Sequence, residues 1–541
     1  MSARELLDGL LDSGSFVGWD RSPVAVDAGP EYRADLRAAA ERAGTDESVL
    51  TGEGGLRGRR VAVIACEFGF LAGSVGVAAA ERIVTAVERA TELGLPLLAS
   101  PTSGGTRMQE GTVAFVQMVK IAGAVAAHKS AGHPYLVYLR DPTMGGVFAS
   151  WGSLGHMTFA EPGALIGFLG PRVYEALYGH PFPEGVQTAE NLYRRGVIDG
   201  VVPIRVFRRI AHRVLNVTTG GLATTQQPAG SERAATESAG ADSAGSRGDH
   251  SETRGGHYDS QGTAPADRPT EPEHVALQHV TDIEATWRAV TLSRRAERPG
   301  IRQLLRHATD RVPLSGTGQG ESDRTVVHAL ARLRGHACVV FGHDRSGQTG
   351  ENTMGPAALR EARRSMHLAA ELRLPLVLVI DTAGAALSRE AEERGLAPEI
   401  ARCIADLVTL DTPTVSVLLG QGSGGGALAL LPADRVLGAT HSWLAPLPPE
   451  GASAIVHRDT AHAPELAAAQ RIRAADLLAD GIVDRIVPEY PDAAAEPVDF
   501  ARRMITAVAD ELAVLRRLPP DELRETRRSR YRRLGLPTTR D

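Results

Sequence analysis

The sequence predicts an α/β protein built from two copies of one layered domain, and three observations carry that expectation. Strand-like apolar runs alternate with stretches of helical periodicity across short glycine turns. The segment from Ala223 to His274 contains no Leu, Ile, Val, Phe, Met or Trp in 52 residues, which divides the chain in two. Similar motifs recur in the same order on either side of it.

In the first half, Met1 to about Thr45 reads as short helices with a turn at Ser13, Gly14 and Ser15. Arg60 to Cys66 is an apolar strand, Gly69 to Gly76 a glycine-spaced loop, and Val77 to Leu93 repeats at helical spacing. Leu95 to Ala99 is a strand ending in Ser103-Gly104-Gly105-Thr106-Arg107, and a helix runs through Val113, Val116, Val119 and Ile121. Tyr135 to Leu139 is a strand ending in Asp141-Pro142-Thr143-Met144-Gly145-Gly146. The second half opens with a helical stretch near Val275 to Val290 and repeats the series. It has a strand from Ala337 to Phe341, a helix through Met366 and Leu372, and a strand from Leu376 to Ile380. Asp381-Thr382-Ala383-Gly384-Ala385 follows, then a helix near Ile400 to Leu410. The expected division is a first domain over 1–217, a disordered linker over 218–274 that cannot bury enough apolar surface to offset its ordering entropy, and a second domain over 275–541.

Composition narrows the function classes. A formal charge of −6 argues against nucleic-acid or membrane-surface binding. Cys66, Cys338 and Cys403 form no C-x-x-C pair, which excludes a disulfide framework and a cysteine zinc site and fits a reducing compartment. The charged N-terminus lacks a signal-peptide apolar core, and no run of 18 apolar residues suggests a membrane span. The expectation is a cytoplasmic protein.

The richest glycine stretch is Leu419 to Leu430, where five of the seven residues from Gly420 to Gly426 are glycine. An apolar strand precedes it and helix-forming residues from Ala427 to Leu431 follow. Such a turn aims backbone N–H groups and the positive end of a helix dipole at whatever binds there. Gly420, Gly422 and Gly425 fit G-x-G-x-x-G, but no clear acidic residue follows about 20 positions on; a phosphate loop would need a lysine that is absent. Close packing alone is the competing reading.

The repeat favours function. Glu92-Leu93-Gly94-Leu95-Pro96-Leu97 matches Glu371-Leu372-Arg373-Leu374-Pro375-Leu376 at an offset of 279 (371 − 92), which also pairs Gly76 with Gly355. After a one-residue gap the offset becomes 280, pairing Gly104 with Gly384 and Gly145 with Gly425. Each half then carries two strand-end glycine turns, whose N–H groups can converge on one oxygen as an oxyanion hole. Two halves give two holes.

At these residues the chain resembles the carboxyltransferase component of biotin-dependent acetyl-CoA carboxylase. The first half is similar to the β subunit at Thr51-Gly52-Glu53-Gly54, Phe68-Gly69-Phe70, Gly73 to Gly76, Ser103 to Glu110, Asp141 to Val147 and Gly170-Pro171-Arg172-Val173. The second half is similar to the α subunit at Arg298-Pro299, Gly355-Pro356, Asp381 to Ala385, Glu392-Glu393-Arg394-Gly395, the opening glycine stretch, and Pro449 to Ile455. The resemblance implies a fused β-plus-α chain of two crotonase-like (ClpP/crotonase superfamily) domains made of ββα spiral units. Two features depart from it: the β subunit's four-cysteine zinc ribbon is absent, so no zinc is expected, and the α-type Asp-Thr-Pro-Gly turn reads Asp381-Thr382-Ala383-Gly384.

The implied activity is transfer of a carboxyl group from carboxybiotin, on a biotin carboxyl carrier protein served by biotin carboxylase, to a coenzyme A thioester. With acetyl-CoA the product is malonyl-CoA for fatty acid synthesis; propionyl-CoA or a longer acyl-CoA is the alternative. Both partners pass through oxyanions, and no side-chain base is required. By analogy with the family, Gly104, Gly105, Gly145 and Gly146 would face the thioester oxygen, and Gly384, Ala385, Gly425 and Gly426 the biotin oxygen. Gly424 joins the cofactor site. Arg107 and Arg172 would meet CoA phosphates, or form surface or packing salt bridges. His343 and Glu450 read as structural polar groups, and Arg527 to Arg533 as a solvated helix. A homodimer or higher homo-oligomer is expected. A crotonase-type decarboxylase or hydratase would share the fold but should show catalytic carboxylates, and a non-catalytic scaffold would tolerate loss of the glycines.

Overall fold

The computed structural model describes residues 1–26, 28–219, 271–349 and 352–536. The expected linker, 218–274, lies outside these residues except at its edges, where Thr218 ends the helix Ile204–Thr218 and Glu271 begins the helix Glu271–Ser293.

Strands in the first half are β1 (Val17–Gly18), β2 (Val49–Leu56), β3 (Arg59–Cys66), β4 (Leu97–Ser100), β5 (Tyr135–Leu139), β6 (Thr143–Met144), β7 (Met157–Ala160), β8 (Ile166–Gly167) and β9 (Gly200–Val201). The second half supplies β10 (Asp310–Leu314), β11 (Val326–Leu333), β12 (His336–His343), β13 (Leu376–Thr382), β14 (Thr414–Ser423), β15 (Arg435–Ala439), β16 (Trp443–Ala445) and β17 (Arg485–Val487). Seven strands form one sheet in the order β1-β2-β3-β4-β5-β7-β9, with β6 and β8 paired apart. The other sheet runs β10-β11-β12-β13-β14-β15-β17, with β16 added beside β14.

Each sheet begins with three antiparallel strands, the second and third joined as a hairpin, and continues with parallel strands. The hairpin turns are alike: Arg57 and Gly58 have φ of 52° and 80°, and Arg334 and Gly335 have 45° and 91°. Positive φ at both central residues matches the right-handed twist of the flanking strands. The parallel strands are covered on both faces, so β5 reads as an unbroken apolar run, β13 does so from Leu376 to Ile380, and both are buried along their whole length. Helices Val77–Glu92 and Pro356–Leu372 follow the hairpins, capped by Gly76 and Gly355 in nearly the same extended conformation.

The two halves share one apolar core. Val116, Val119 and Ile121 of the helix Gly111–Ser130 belong to the same buried cluster as Ile400, Ile404 and Leu407 of the helix Leu396–Thr409. The stretch Met108–Ser130 is long and apolar enough to cross a membrane, against the expectation that no such segment exists. However, 78% of its apolar window is buried inside the protein, as for a core helix that is hydrophobic all round.

The C-terminal arginine run also departs from expectation. Its helix, Pro520–Arg533, is tied down rather than solvated. The Arg527 guanidinium has no exposed surface, donates to both oxygens of Asp434 at 2.9 and 2.7 Å, and also reaches the carbonyls of Leu407, Leu410 and Thr412. Arg532 crosses to the first half, pairing with Glu81 at 2.7 Å and Glu88 at 2.9 Å. The helix straps one half to the other.

Candidate active site

The turn after β4 is shaped by one side chain. Ser103 Oγ accepts from the Gly105 N–H at 3.0 Å and donates to the Gly105 carbonyl at 3.2 Å. After β13, Thr382 Oγ1 does the same with Gly384, at 3.1 and 2.9 Å. Gly105 and Gly384 have φ of 125° and 148°, and Gly145 and Gly424 have 65° and 62°, a region that disfavours residues with a Cβ. The equivalent pairs are therefore Gly105 with Gly384 and Gly145 with Gly424. Their offsets (384 − 105 and 424 − 145) are both 279, the same as that of the flanking helices and strands. The one-residue gap inferred from matching glycines is corrected. Gly104 corresponds to Ala383, Thr106 to Ala385 and Gly146 to Gly425.

Each second turn runs into a short helix, Gly145–Phe148 in the first half and Gly424–Leu428 in the second. The first N–H groups of a helix have no acceptor within it; the parallel pairing of β6 with β8 and of β14 with β16 directs those of Gly145 and Gly424 to the Gly167 and Ala445 carbonyls, and leaves those of Gly146 and Gly425 at the turns. Gly104 donates to the Ala72 carbonyl at 2.9 Å, and Gly105 and Gly384 donate to their own turn hydroxyls. Gly104, Gly105, Gly145 and Gly384, four of the expected donors, are thus already committed, as is Gly424. These glycines serve the shape of the turns, and Gly146 and Gly425 carry the donors left at the helix starts.

All four turns open on one chamber of about 380 Å³ between the halves. Gly104, Gly105, Gly145, Gly146, Gly384, Ala385, Gly424 and Gly425 line it, and so does Ala383. Gly426, Arg107 and Arg172 are not among its lining residues, and the Arg172 side chain lies outside the described residues. Met108, Phe115, Phe168, Leu387, Ile400 and Leu447 supply apolar walls. Among the described lining residues none is Asp, Glu, His, Lys, Arg or Cys.

Arg107 is corrected as a phosphate ligand. Its side chain is 1% exposed and pairs bidentately with Glu47 at 2.5 and 3.0 Å, while further donors go to Ser48 Oγ and the Ser74 carbonyl. Its fork is already filled. His343 and Glu450 are the structural polar groups expected. His343 is buried, accepts from the Asp381 N–H at 3.4 Å, and burial pushes its imidazole down to about 4. Burial acts to raise Glu450, but its ion pair with Arg294 at 2.5 Å carries it below the ordinary value.

Sequence reasoning missed two polar residues here. Ser423 lines the chamber, is fully buried, and its hydroxyl has no hydrogen-bond partner among the described residues. Its interruption of a glycine run was the available signal. Glu392, in the helix Arg389–Glu393, reaches across to the first half: its Oε1 accepts from the Phe168 N–H at 2.8 Å and from Gln187 Nε2 at 2.7 Å. Nothing local marks that contact, because its partners lie over 200 residues away.

Two crotonase-like domains with their paired turns facing each other across one apolar chamber define the class of fold. Residues 10–524 match the family described as carboxyl transferase domain, and the chain belongs to that family. It is 61% identical over 534 residues to a protein of Mycobacterium tuberculosis named probable biotin-dependent acyl-coenzyme A carboxylase beta3 subunit, with 98% of each chain covered. It is 37% identical to the acetyl-coenzyme A carboxylase carboxyl transferase subunits beta/alpha of Salinispora arenicola, covering 99% of this chain and 91% of that one. Among solved structures, transcarboxylase 12S, in its hexamer assembly with methylmalonyl-coenzyme A bound, aligns at 18% identity and a TM-score of 0.35, covering 96% of this chain and 90% of that chain.

Proposed function

We propose that this chain transfers the carboxyl group of carboxybiotin, presented by a biotin carboxyl carrier protein, to the α-carbon of an acyl-CoA. The observation that carries the reading is a chamber faced by two sets of backbone N–H donors and lined by no acidic or basic side chain among the described residues. A hydratase or decarboxylase that relies on a carboxylate acid or base has none here to use. The donor set fits a ureido ring and a thioester, which both present a carbonyl oxygen that gains negative charge during transfer. Carboxybiotin supplies the carboxyl group and, on giving it up, the basic ureido nitrogen that accepts the α-proton.

The chain's own contribution is electrostatic and geometric. The helix-start N–H group of Gly146 stabilises negative charge on the thioester oxygen, and that of Gly425 stabilises it on the ureido oxygen. The apolar walls exclude water, which strengthens these interactions and limits loss of the carboxyl group to solvent. Biotin carboxylase and the carrier protein are the partners this reading requires, and a homo-oligomer is its expected assembly.

We take acetyl-CoA as the acceptor and malonyl-CoA as the product, feeding fatty acid synthesis. A propionyl or longer acyl acceptor is the second reading, favoured by the apolar walls and by the acyl-coenzyme A name of the relative at 61% identity. The test is reverse transfer: purified chain is mixed with biocytin and malonyl-, methylmalonyl- or longer 2-carboxyacyl-CoA, and carboxybiocytin formation is followed. Transfer from malonyl-CoA at the highest kcat/KM supports acetyl-CoA, a higher value for a bulkier thioester supports the second reading, and no transfer from any of them defeats both.

A further inference from the structure

We propose that Glu392 is a positioning residue: from the second half it clasps the first half's Phe168–Gly170 segment and so fixes the wall that closes the chamber over Gly425. The inference rests on the functional reading above for what the chamber binds, but the clasp itself stands on geometry. Glu392 is buried, and its Oε1 accepts from the Phe168 N–H at 2.8 Å. Gln187 completes the ring: its Nε2 donates to Glu392 Oε1 at 2.7 Å and to the Leu169 carbonyl at 2.7 Å.

The segment so held is part of the site. Phe168, Leu169 and Gly170 line the chamber, and the Phe168 ring packs so closely on Gly425 that a Cβ there would lie 2.9 Å from its Cε2. Holding the Phe168 backbone from outside sets where that ring stands against the donor glycine. The neighbouring Glu393 has a different task. It pairs with Arg195 at 2.8 Å and Arg389 at 3.0 Å, and accepts from Asn191 Nδ2 at 3.2 Å. Adjacent carboxylates in one helical turn thus divide the contact between the halves, one tying the helix to Arg195 and Asn191 away from the chamber and one setting the chamber wall.

The experiment uses the full chain carrying Glu392→Ala or Glu392→Gln. Glutamine keeps an acceptor oxygen for the Phe168 N–H, whereas alanine leaves it without one. Hydrogen exchange of the Phe168 amide should accelerate about fivefold to a hundredfold in Glu392→Ala, as for a buried donor stripped of its acceptor, and stay close to wild type in Glu392→Gln. In reverse transfer, Glu392→Ala should raise the biocytin KM while the CoA-thioester KM holds, with Glu392→Gln restoring it. Unchanged exchange in Glu392→Ala overturns the clasp. Faster exchange with both KM values unmoved overturns its role in the site. If the wild-type chain transfers nothing, the functional reading fails while the exchange measurement still decides the clasp.

Discussion

Replacing Gly425 with alanine tests the site where its tolerances are tightest. Gly425 does not have a left-handed φ, so the backbone accepts a Cβ and the obstacle is space. The added methyl would lie 2.9 Å from Ile400 Cδ1 and 2.9 and 3.0 Å from two ring atoms of Phe168. Ile400 is fully buried and Phe168 is 9% exposed, so neither can swing into solvent. Overpacking of this kind costs about 1–3 kcal/mol. At roughly 2–4 °C per kcal/mol for a domain of this size, the unfolding midpoint should fall by about 2–12 °C, leaving a folded protein. Activity should fall much further, because the relief available is to push the ring into the chamber or the Gly425 N–H away from the bound oxygen. Loss of one oxyanion donor elsewhere lowers kcat by about 10²–10³. The assay is transfer from malonyl-CoA to biocytin, beside Gly29→Ala, whose Cβ would meet nothing within 4 Å. Combining Gly425→Ala with Phe168→Ala should recover part of the rate if crowding is the cause. A Gly425→Ala enzyme that transfers at close to the wild-type rate would refute the reasoning.

Three further outcomes are expected. Ser423→Ala removes a buried hydroxyl with no partner among the described residues, so it should raise the unliganded protein's stability by about 1 kcal/mol in thermal unfolding while weakening ligand binding in the chamber, read as a raised KM. Arg107→Met should cost about 3–5 kcal/mol by stranding the buried Glu47, yet leave the CoA-thioester KM of the folded enzyme unchanged, since the guanidinium is committed to that pair. Burial pushes Glu392 up to about 7 from 4.5, against the hydrogen bonds of Gln187 and Phe168. The folded state therefore holds that proton more tightly than the unfolded chain does. Its contribution is full below pH 4.5 and is lost as pH rises through about 7. Loss of this contribution, worth about 3 kcal/mol, should narrow or reverse any stability advantage of wild type over Glu392→Gln between pH 5 and 8, measured by denaturant unfolding.

The fold was legible where local patterns decide structure. Tyr135 to Leu139 was read to the residue, because a fully buried parallel strand is an unbroken apolar run flanked by turns. The duplication was also visible, but its register slipped by one. Gly104-Gly105 and Gly424-Gly425-Gly426 offer several glycines to match, and letters do not tell which one holds a positive φ. Ser103 and Thr382, whose hydroxyls brace equivalent turns, would have fixed the register at 279. The charged residues were the least legible. Arg107 pairs with Glu47, Arg527 with Asp434, and Glu392 reaches Phe168, at separations of 60, 93 and 224 residues. No periodicity links such partners, so an arginine destined for a buried ion pair reads the same as one free for a phosphate.

That the chamber is faced by both halves of one polypeptide also fixes its stoichiometry. Every chain made carries one of each half-site, so neither can be produced in excess. Joining two modules replaces a bimolecular encounter with an intramolecular one, at effective concentrations that reach roughly millimolar for short flexible tethers. Halves ending at Thr219 and beginning at Glu271, made separately, would have to find each other through the same core, and their joint activity would then rise with protein concentration. Dilution would become a switch that the intact chain does not have.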